Sequence, residues 1–332
     1  MPVNNKKFLI IGLGSMGKRR IRNLLFLGID KKNIYGFDST LDRCHDVGLE
    51  YGIKTFSAID QAEGIDPDAY IISTPPLSHS EYFLRAAKNK KHFFVEATTR
   101  NDGYDDLQPL LDGSFVAAPS CTFRHFPAVV KIKELLLSGL IGKPLSFNHY
   151  LGQYLPDWHP YEDYRQIYFA KKDTGGAREM FPYELIWLMG IFQSQVARVI
   201  GARGKISDLE MTADDVYHSI IQFENGMVGN MMIDILNRNA TRTLKIIGTE
   251  GTLDWNWLGK KIEIYDAKIK STEIIDLTDG KKIGKYNTGE EAYESEMSDF
   301  LEAIEGKKKY PYSFEEDDKI LSFLDNFIDI KS

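Results

Sequence analysis

The chain has 332 residues, of which 43% are hydrophobic, 12% aromatic and 27% charged, and its formal net charge is −7. A single core seldom grows past roughly 250 to 300 residues, so two folded domains are expected. The acidic balance gives no basic field for a phosphate backbone, and no apolar run approaches the length of a membrane span, so nucleic acid and membrane partners are both disfavoured.

The first residues lead directly into a short apolar run instead of a signal-peptide core, and the only cysteines, Cys44 and Cys121, form no CxxC pair. A cytoplasmic location is expected. His45 beside Cys44 has no further ligands at metal spacing, so no metal site is expected. Short apolar runs at Phe8 to Ile11, Ile34 to Phe37, Ala69 to Ser73, His92 to Val95 and Phe115 to Ala118 alternate with segments of helical spacing. That rhythm predicts an α/β Rossmann domain, a doubly wound parallel sheet, over residues 1–121.

Directly after the first run comes Gly12-Leu13-Gly14-Ser15-Met16-Gly17, opening a helix that runs to about Leu27. In such a turn the first glycine makes the bend and the second admits a pyrophosphate. The third lets helix and strand approach, and the helix amino terminus offers N–H groups to the anion. Asp38 ends the next strand 21 positions beyond Gly17, where a carboxylate accepts from ribose hydroxyls and repels a 2′-phosphate. NAD is therefore favoured over NADP, with Arg43, close to Asp38 and Ser39, as the residue that keeps NADP in view.

Past residue 122 the pattern changes. A helix from Pro127 to Leu137 precedes Pro144, and alternating runs at Val216 to Phe223 and Met227 to Leu236 flank Asn225-Gly226, a dipeptide that accepts positive φ at both positions and so signals a hairpin. Further runs at Leu244 to Ile247, Ile262 to Tyr265 and Glu273 to Leu277 predict an α+β domain, residues 122–332, with a large, mostly antiparallel sheet. Two helices are expected at the end. Tyr293, Met297, Phe300, Leu301 and Ile304 line the first; Ile320, Leu321, Phe323, Leu324, Phe327 and Ile328 line the second, a candidate to pack back on the first domain.

Before these runs lies the densest polar and aromatic stretch, from Tyr150 to Arg165. On a loop held by a rigid sheet it is expected to bind ligand, with Gln153, Trp158, Tyr161 and Arg165 as substrate contacts and His159 as a candidate acid/base group. Interface packing is the competing use of the same aromatics.

With these segments in place the chain resembles the Gfo/Idh/MocA family of NAD(P)-dependent oxidoreductases over nearly its whole length. Besides the glycine turn, the likeness rests on Ser73-Thr74-Pro75-Pro76 with His79, on Phe94-Val95-Glu96-Ala97, on Phe123-Arg124-His125-Phe126-Pro127, and on Gly175-Gly176 with the helix after it. The resemblance implies hydride transfer between nicotinamide and a hydroxyl-bearing carbon of a sugar or sugar nucleotide, with surface-sugar biosynthesis as one setting. It also implies a homodimer or homotetramer. By the same likeness Ser73, Thr74, Pro75, Pro76, His79, Glu96 and Ala97 flank the cofactor and Arg124 lies near substrate.

Three positions depart from the family pattern. Ala97 replaces the lysine of Glu-Lys-Pro, and Glu179 and Tyr183 stand where Asp and His are usual, four apart on one helix face. Tyr183 is the leading candidate for the base, if a positive charge lies near it. Arg178 points elsewhere on the helix, and Arg124 and Arg165 are the alternatives. Loss of the lysine also keeps a second reading open: a catalytically silent NAD-binding sensor or scaffold.

Overall fold

Residues 3–158, 162–277 and 289–330 are described by the computed structural model. The first sheet contains β1 (Phe8–Ile11), β2 (Ile34–Phe37), β3 (Lys54–Phe56), β4 (Ala69–Ile72), β5 (His92–Val95) and β6 (Ala117–Pro119). All its pairings are parallel and the order is β3-β2-β1-β4-β5-β6, the doubly wound Rossmann arrangement. β1 and β4 are buried at every position, as strands covered on both faces must be. β3 carried no apolar run, because it is a three-residue edge strand with no buried position.

Among the described residues the second sheet has nine strands: β7 (Pro144–Tyr154), β8 (Val196–Gly204), β9 (Val216–Phe223), β10 (Val228–Asp234), β11 (Leu236–Gly248), β12 (Gly251–Asn256), β13 (Lys261–Asp266), β14 (Ser271–Asp276) and β15 (Phe327–Asp329). Their order is β14-β13-β12-β11-β7-β10-β9-β8-β15, antiparallel except where β7 meets β10 and β8 meets β15. The hairpin at Asn225-Gly226 forms, but not as a two-residue turn. Gly226 alone has positive φ, +88°, and Phe223 and Met227 close a three-residue loop.

The chain divides into two units, and the boundary differs from the expected one. The first unit takes residues up to His125 and then 289–318 of the described chain; the second takes 126–277 and 319–330. The return has a packing cause. On the helix Glu291–Ile304, Met297, Phe300 and Leu301 join the core formed by Phe8, Ile10, Ile21 and Phe94, and Glu296 is buried against Arg20. A further correction concerns the last helix, which stops at Ser322. Phe327 and Ile328 lie in β15 instead, where the Phe327 ring packs 4.8 Å from Tyr217 and 4.9 Å from Phe181.

Candidate functional site

In the first unit the glycine turn follows β1 at once and Gly14 caps the helix Ser15–Phe26. Gly12 has φ +89°, and a Cβ there would lie 2.7 Å from the Ser73 carbonyl oxygen; a Cβ on Gly17 would collide with the Gly12 carbonyl. Gly14 is different: a Cβ there meets no protein atom within 4 Å. The one glycine not required for packing is the one beside the helix N–H groups, as an anion cradle needs. Leu13 is buried, while Ser15 is exposed and Met16 half-buried on the first helical turn.

Asp38 closes the turn. Its carboxylate accepts from the Leu13 and Thr40 N–H groups, each at 2.9 Å, and Arg43 lies 3.5 Å away. Burial alone would raise its pKa, but these donors hold it below the usual carboxylate range. Ionised, with lone pairs remaining, it suits ribose hydroxyls. Ser39 beside it is exposed.

After β4, Ser73 bonds back to Ile11, and the buried Thr74 Oγ1 has no protein partner among the described residues. Pro75 and Pro76 open a short 3₁₀ turn. His79 is buried and donates from Nε2 to the Thr74 carbonyl at 2.9 Å; burial pushes its pKa down to about 4, so it is a neutral strut for this loop. At the end of β5, Glu96 is gripped by Arg20 at 2.7 and 3.0 Å and accepts from Ser73 Oγ at 3.3 Å, while Ala97 is exposed. Arg20 is fully buried and also reaches Glu296 at 2.9 Å. It ties the glycine helix to both loops, a role that nothing in its place among surface-type charges foretold. Taken together, the Gly14 opening, the unpaired Thr74 hydroxyl and the ionised Asp38 fit a dinucleotide.

In the second unit, Gly175-Gly176 threads where side chains cannot go. A Cβ on Gly175 would strike the Phe169 backbone, and one on Gly176 the Asp214 carbonyl. This fixes the start of the helix Ala177–Phe192, whose Ala177 N–H donates to the Asp214 carbonyl. Glu179, in the first turn, accepts from the Tyr168 hydroxyl at 3.0 Å through Oε1; Oε2 is shut off from solvent with no partner among the described residues. Burial of the carboxyl raises its pKa to about 8 against the opposing Tyr168 hydrogen bond. Tyr183, one turn on, is half-buried.

Three expected substrate contacts are occupied otherwise. Arg124 donates to the Pro311 carbonyl at 2.6 Å and lies 4.8 Å over the Tyr312 ring, all within the first unit. Arg165 is paired with Asp163 and Glu210 at the surface, at 2.7 and 2.9 Å. Trp158 packs edge-on to Phe169 at 4.6 Å, with Leu155, Leu209 and Ile235 in the same cluster, and its buried Nε1 has no partner among the described residues. The Arg124–Pro311 and Arg165–Glu210 contacts join residues distant in sequence, which local pattern cannot reveal. Gln153 is half-buried near the end of β7. His159 and Tyr161 lie outside the described residues.

A doubly wound domain with a dinucleotide turn, joined to a large sheet whose adjoining helix carries a perturbed carboxyl, defines a dehydrogenase-type oxidoreductase. Residues 6–98 match the family model for an oxidoreductase family with an NAD-binding Rossmann fold, and residues 129–254 match the GFO/IDH/MocA C-terminal domain. The chain belongs to the Gfo/Idh/MocA oxidoreductase family.

Among characterised relatives, it is 26% identical over 288 residues to scyllo-inositol 2-dehydrogenase (NAD(+)) of Bacillus subtilis, covering 80% of this chain and 78% of that one. It is also 26% identical over 225 residues to levoglucosan dehydrogenase of Pseudarthrobacter phenanthrenivorans; that match takes in 58% of this chain and 56% of the relative, little more than half its length. The fold is shared with a levoglucosan dehydrogenase solved with NADH, at TM-score 0.80 and 19% identity over 97% of this chain and 96% of that one. It is shared too with UDP-N-acetylglucosamine 3-dehydrogenase of Acidithiobacillus ferrooxidans, at TM-score 0.74 and 19% identity over 97% and 96%.

Proposed function

We propose that this protein is an NAD-dependent dehydrogenase of a sugar or sugar nucleotide, with Tyr183 as the group that takes the substrate hydroxyl proton and Glu179 as its proton relay. The observation that supports this reading most directly is the Glu179 carboxyl. It is an acid with a pKa near 8 and one oxygen uncommitted, one turn from a tyrosine on the same helix face. A proton-transfer group works best when its pKa lies near the operating pH, and side chains so placed contribute about 10²- to 10⁴-fold in rate.

When bound, NAD supplies the hydride acceptor. Gly14 and the helix N–H groups hold the pyrophosphate, Asp38 takes the ribose hydroxyls, and Arg20 keeps Glu96 and the Ser73–Thr74 loop in register with the glycine helix. Tyr183, as phenolate, accepts the hydroxyl proton as the carbonyl forms. Glu179 passes it on through Oε2. The family relatives act on a cyclitol, an anhydrosugar and a sugar nucleotide by name, all carrying ring hydroxyls, and surface-sugar biosynthesis is one setting for the last kind. The exposed Ile200, Ile220 and Ile328, which line one open concavity on the second sheet, support a homo-oligomer formed through that face.

The test is cofactor reduction at 340 nm with levoglucosan, scyllo-inositol and UDP-N-acetylglucosamine. Turnover that falls at least 100-fold in Tyr183→Phe and in Glu179→Gln is expected; full turnover in both would remove the assignment. Ala97 favours a second reading, an NAD-bound protein without turnover, which predicts tight NAD binding and no absorbance change on any of these sugars.

A further inference from the structure

Strand β11 is interrupted beside the end of β7. Leu236 pairs with Tyr154 and Thr241 with Gly152, so residues 237–240 stand opposite the single residue Gln153. A bulge of this kind re-aims the side chains it carries. Its backbone is held by its own neighbours. Asn237 Nδ2 donates to the Tyr150 hydroxyl at 2.9 Å, and that hydroxyl donates to Asp234 at 2.8 Å. The same carboxylate accepts from the Leu236 and Asn237 N–H groups, each at 2.9 Å. The Asn239 N–H donates to Asn237 Oδ1 at 3.0 Å, and Thr241 Oγ1 donates to the Asn239 carbonyl at 2.7 Å. Gly152 lets the strands close here, since a Cβ on it would lie 2.3 Å from the Tyr150 hydroxyl and 2.9 Å from Asn237 Cβ.

What the bulge presents is Arg238. The residue is exposed, and its guanidinium carbon lies 3.5 Å from the centroid of the Tyr154 ring. Arg20, Arg85, Arg165 and Arg203 each meet a carboxylate within 3.2 Å, whereas Arg238 has the ring as its partner and no carboxylate among the described residues. Asp234, four positions before it, spends both oxygens on the bulge. Stacking on a ring face uses no N–H, so the five donors of the guanidinium fork stay available in their plane, the geometry that takes a carboxylate or phosphate bidentately. Packing places this group near the reacting end. Tyr154 packs against the cluster that includes Phe169 and Met180. The Phe169 ring lies 4.5 Å from the Tyr168 ring, and the Tyr168 hydroxyl donates to Glu179. Arg238 thus reaches Glu179 across two packed rings and not by contact, so a group it holds is a substituent of the substrate and not the reacting carbon.

We propose that Arg238, stacked on Tyr154, binds an anionic substituent of the sugar, a phosphate or a carboxylate, so that this protein takes a charged sugar in preference to a neutral one. The inference rests on the sugar dehydrogenase reading and narrows it: sugar nucleotides, sugar phosphates and sugar acids use the site, and uncharged sugars and cyclitols do not. The Tyr154 ring holds the guanidinium in place before the ligand arrives, which lowers the ordering cost of binding. Because Arg238 is exposed, replacing it leaves no cavity and no stranded charge.

The experiment is isothermal titration calorimetry on the full chain saturated with NADH, which cannot take hydride from an alcohol, so binding is read without turnover. The probes are glucose, glucose 1-phosphate, glucuronate and UDP-N-acetylglucosamine. At least one anionic probe is expected to bind about tenfold or more tightly than glucose, and the phosphate and carboxylate arms tell which anion the site takes. Arg238→Met, which keeps an apolar chain on the Tyr154 ring, is expected to bring that ratio to within about twofold of one. Arg238→Lys, with the charge but without the planar fork, is expected to keep part of it. Glucose binding as tightly as every anionic probe, or an undiminished ratio in Arg238→Met, overturns the inference. Absence of NAD reduction with the tightest-bound probe overturns instead the dehydrogenase reading beneath it, so the two failures are distinct.

Discussion

A side chain at position 14 meets no protein atom, whereas one at position 17 runs into the Gly12 carbonyl, so the two glycines answer differently to the same substitution. Gly14→Ala is expected to leave the melting temperature within about 2 °C while raising the NAD dissociation constant at least tenfold, read by fluorescence titration. Gly17→Ala is expected to cost roughly 1–3 kcal/mol of stability by overpacking, read by urea unfolding. Glu179 gives a pH signature. Its carboxyl keeps its proton up to about pH 8 in the folded chain, but gives it up near 4.5 when unfolded. The folded state therefore binds more protons between these values, and this group's contribution to stability falls as pH rises through them. Glu179→Gln removes that slope, so thermal midpoints of variant and parent should diverge in the variant's favour from pH 5 to pH 8. Equal slopes would show that Glu179 is not a buried acid.

At the scale of elements, the glycine helix is tied to the helix Glu291–Ile304. Arg20, buried between Glu96 and Glu296, is the joint, and Glu296 also accepts from Ser120 Oγ, the Cys121 N–H and Thr122 Oγ1 at 3.0, 2.6 and 2.7 Å. Removing one partner of such a buried pair costs about 3–5 kcal/mol, because the other charge is stranded. Glu296→Ala is thus expected to lower the unfolding free energy by that amount and to weaken NAD binding, although residue 296 is 279 positions from the third glycine of the turn. The helix Ala177–Phe192 depends likewise on its entry: the Gly175-Gly176 passage past Phe169 and Asp214 sets where Glu179 and Tyr183 stand.

At the scale of the whole molecule, the second sheet leaves Ile200, Ile220 and Ile328 exposed at 44, 48 and 75% around one open concavity. If that face joins copies of the chain, Ile220→Asp places a charge where apolar surface is buried. Light scattering after size-exclusion chromatography is then expected to show a smaller species with unchanged circular dichroism; an unchanged mass would place the contact elsewhere.

The sequence alone determined the parallel sheet and the glycine turn with Asp38, because each is written in local order, strand period and glycine spacing; the helix bearing Glu179 and Tyr183 was implied by the family resemblance, and their four-residue step put them on one helix face. Tertiary structure alone decided the rest. Arg20 reads as an ordinary charge until Glu296, 276 positions away, closes on it. Arg165 and Trp158, which local pattern assigned to substrate, and Arg124, which the family likeness placed near it, have partners that include Glu210, Phe169 and Pro311. Local pattern records which groups a residue carries, whereas burial and charge pairing depend on what the folded chain brings against it. The dinucleotide turn was therefore legible at once, and the buried Arg20–Glu296 pair behind it was not.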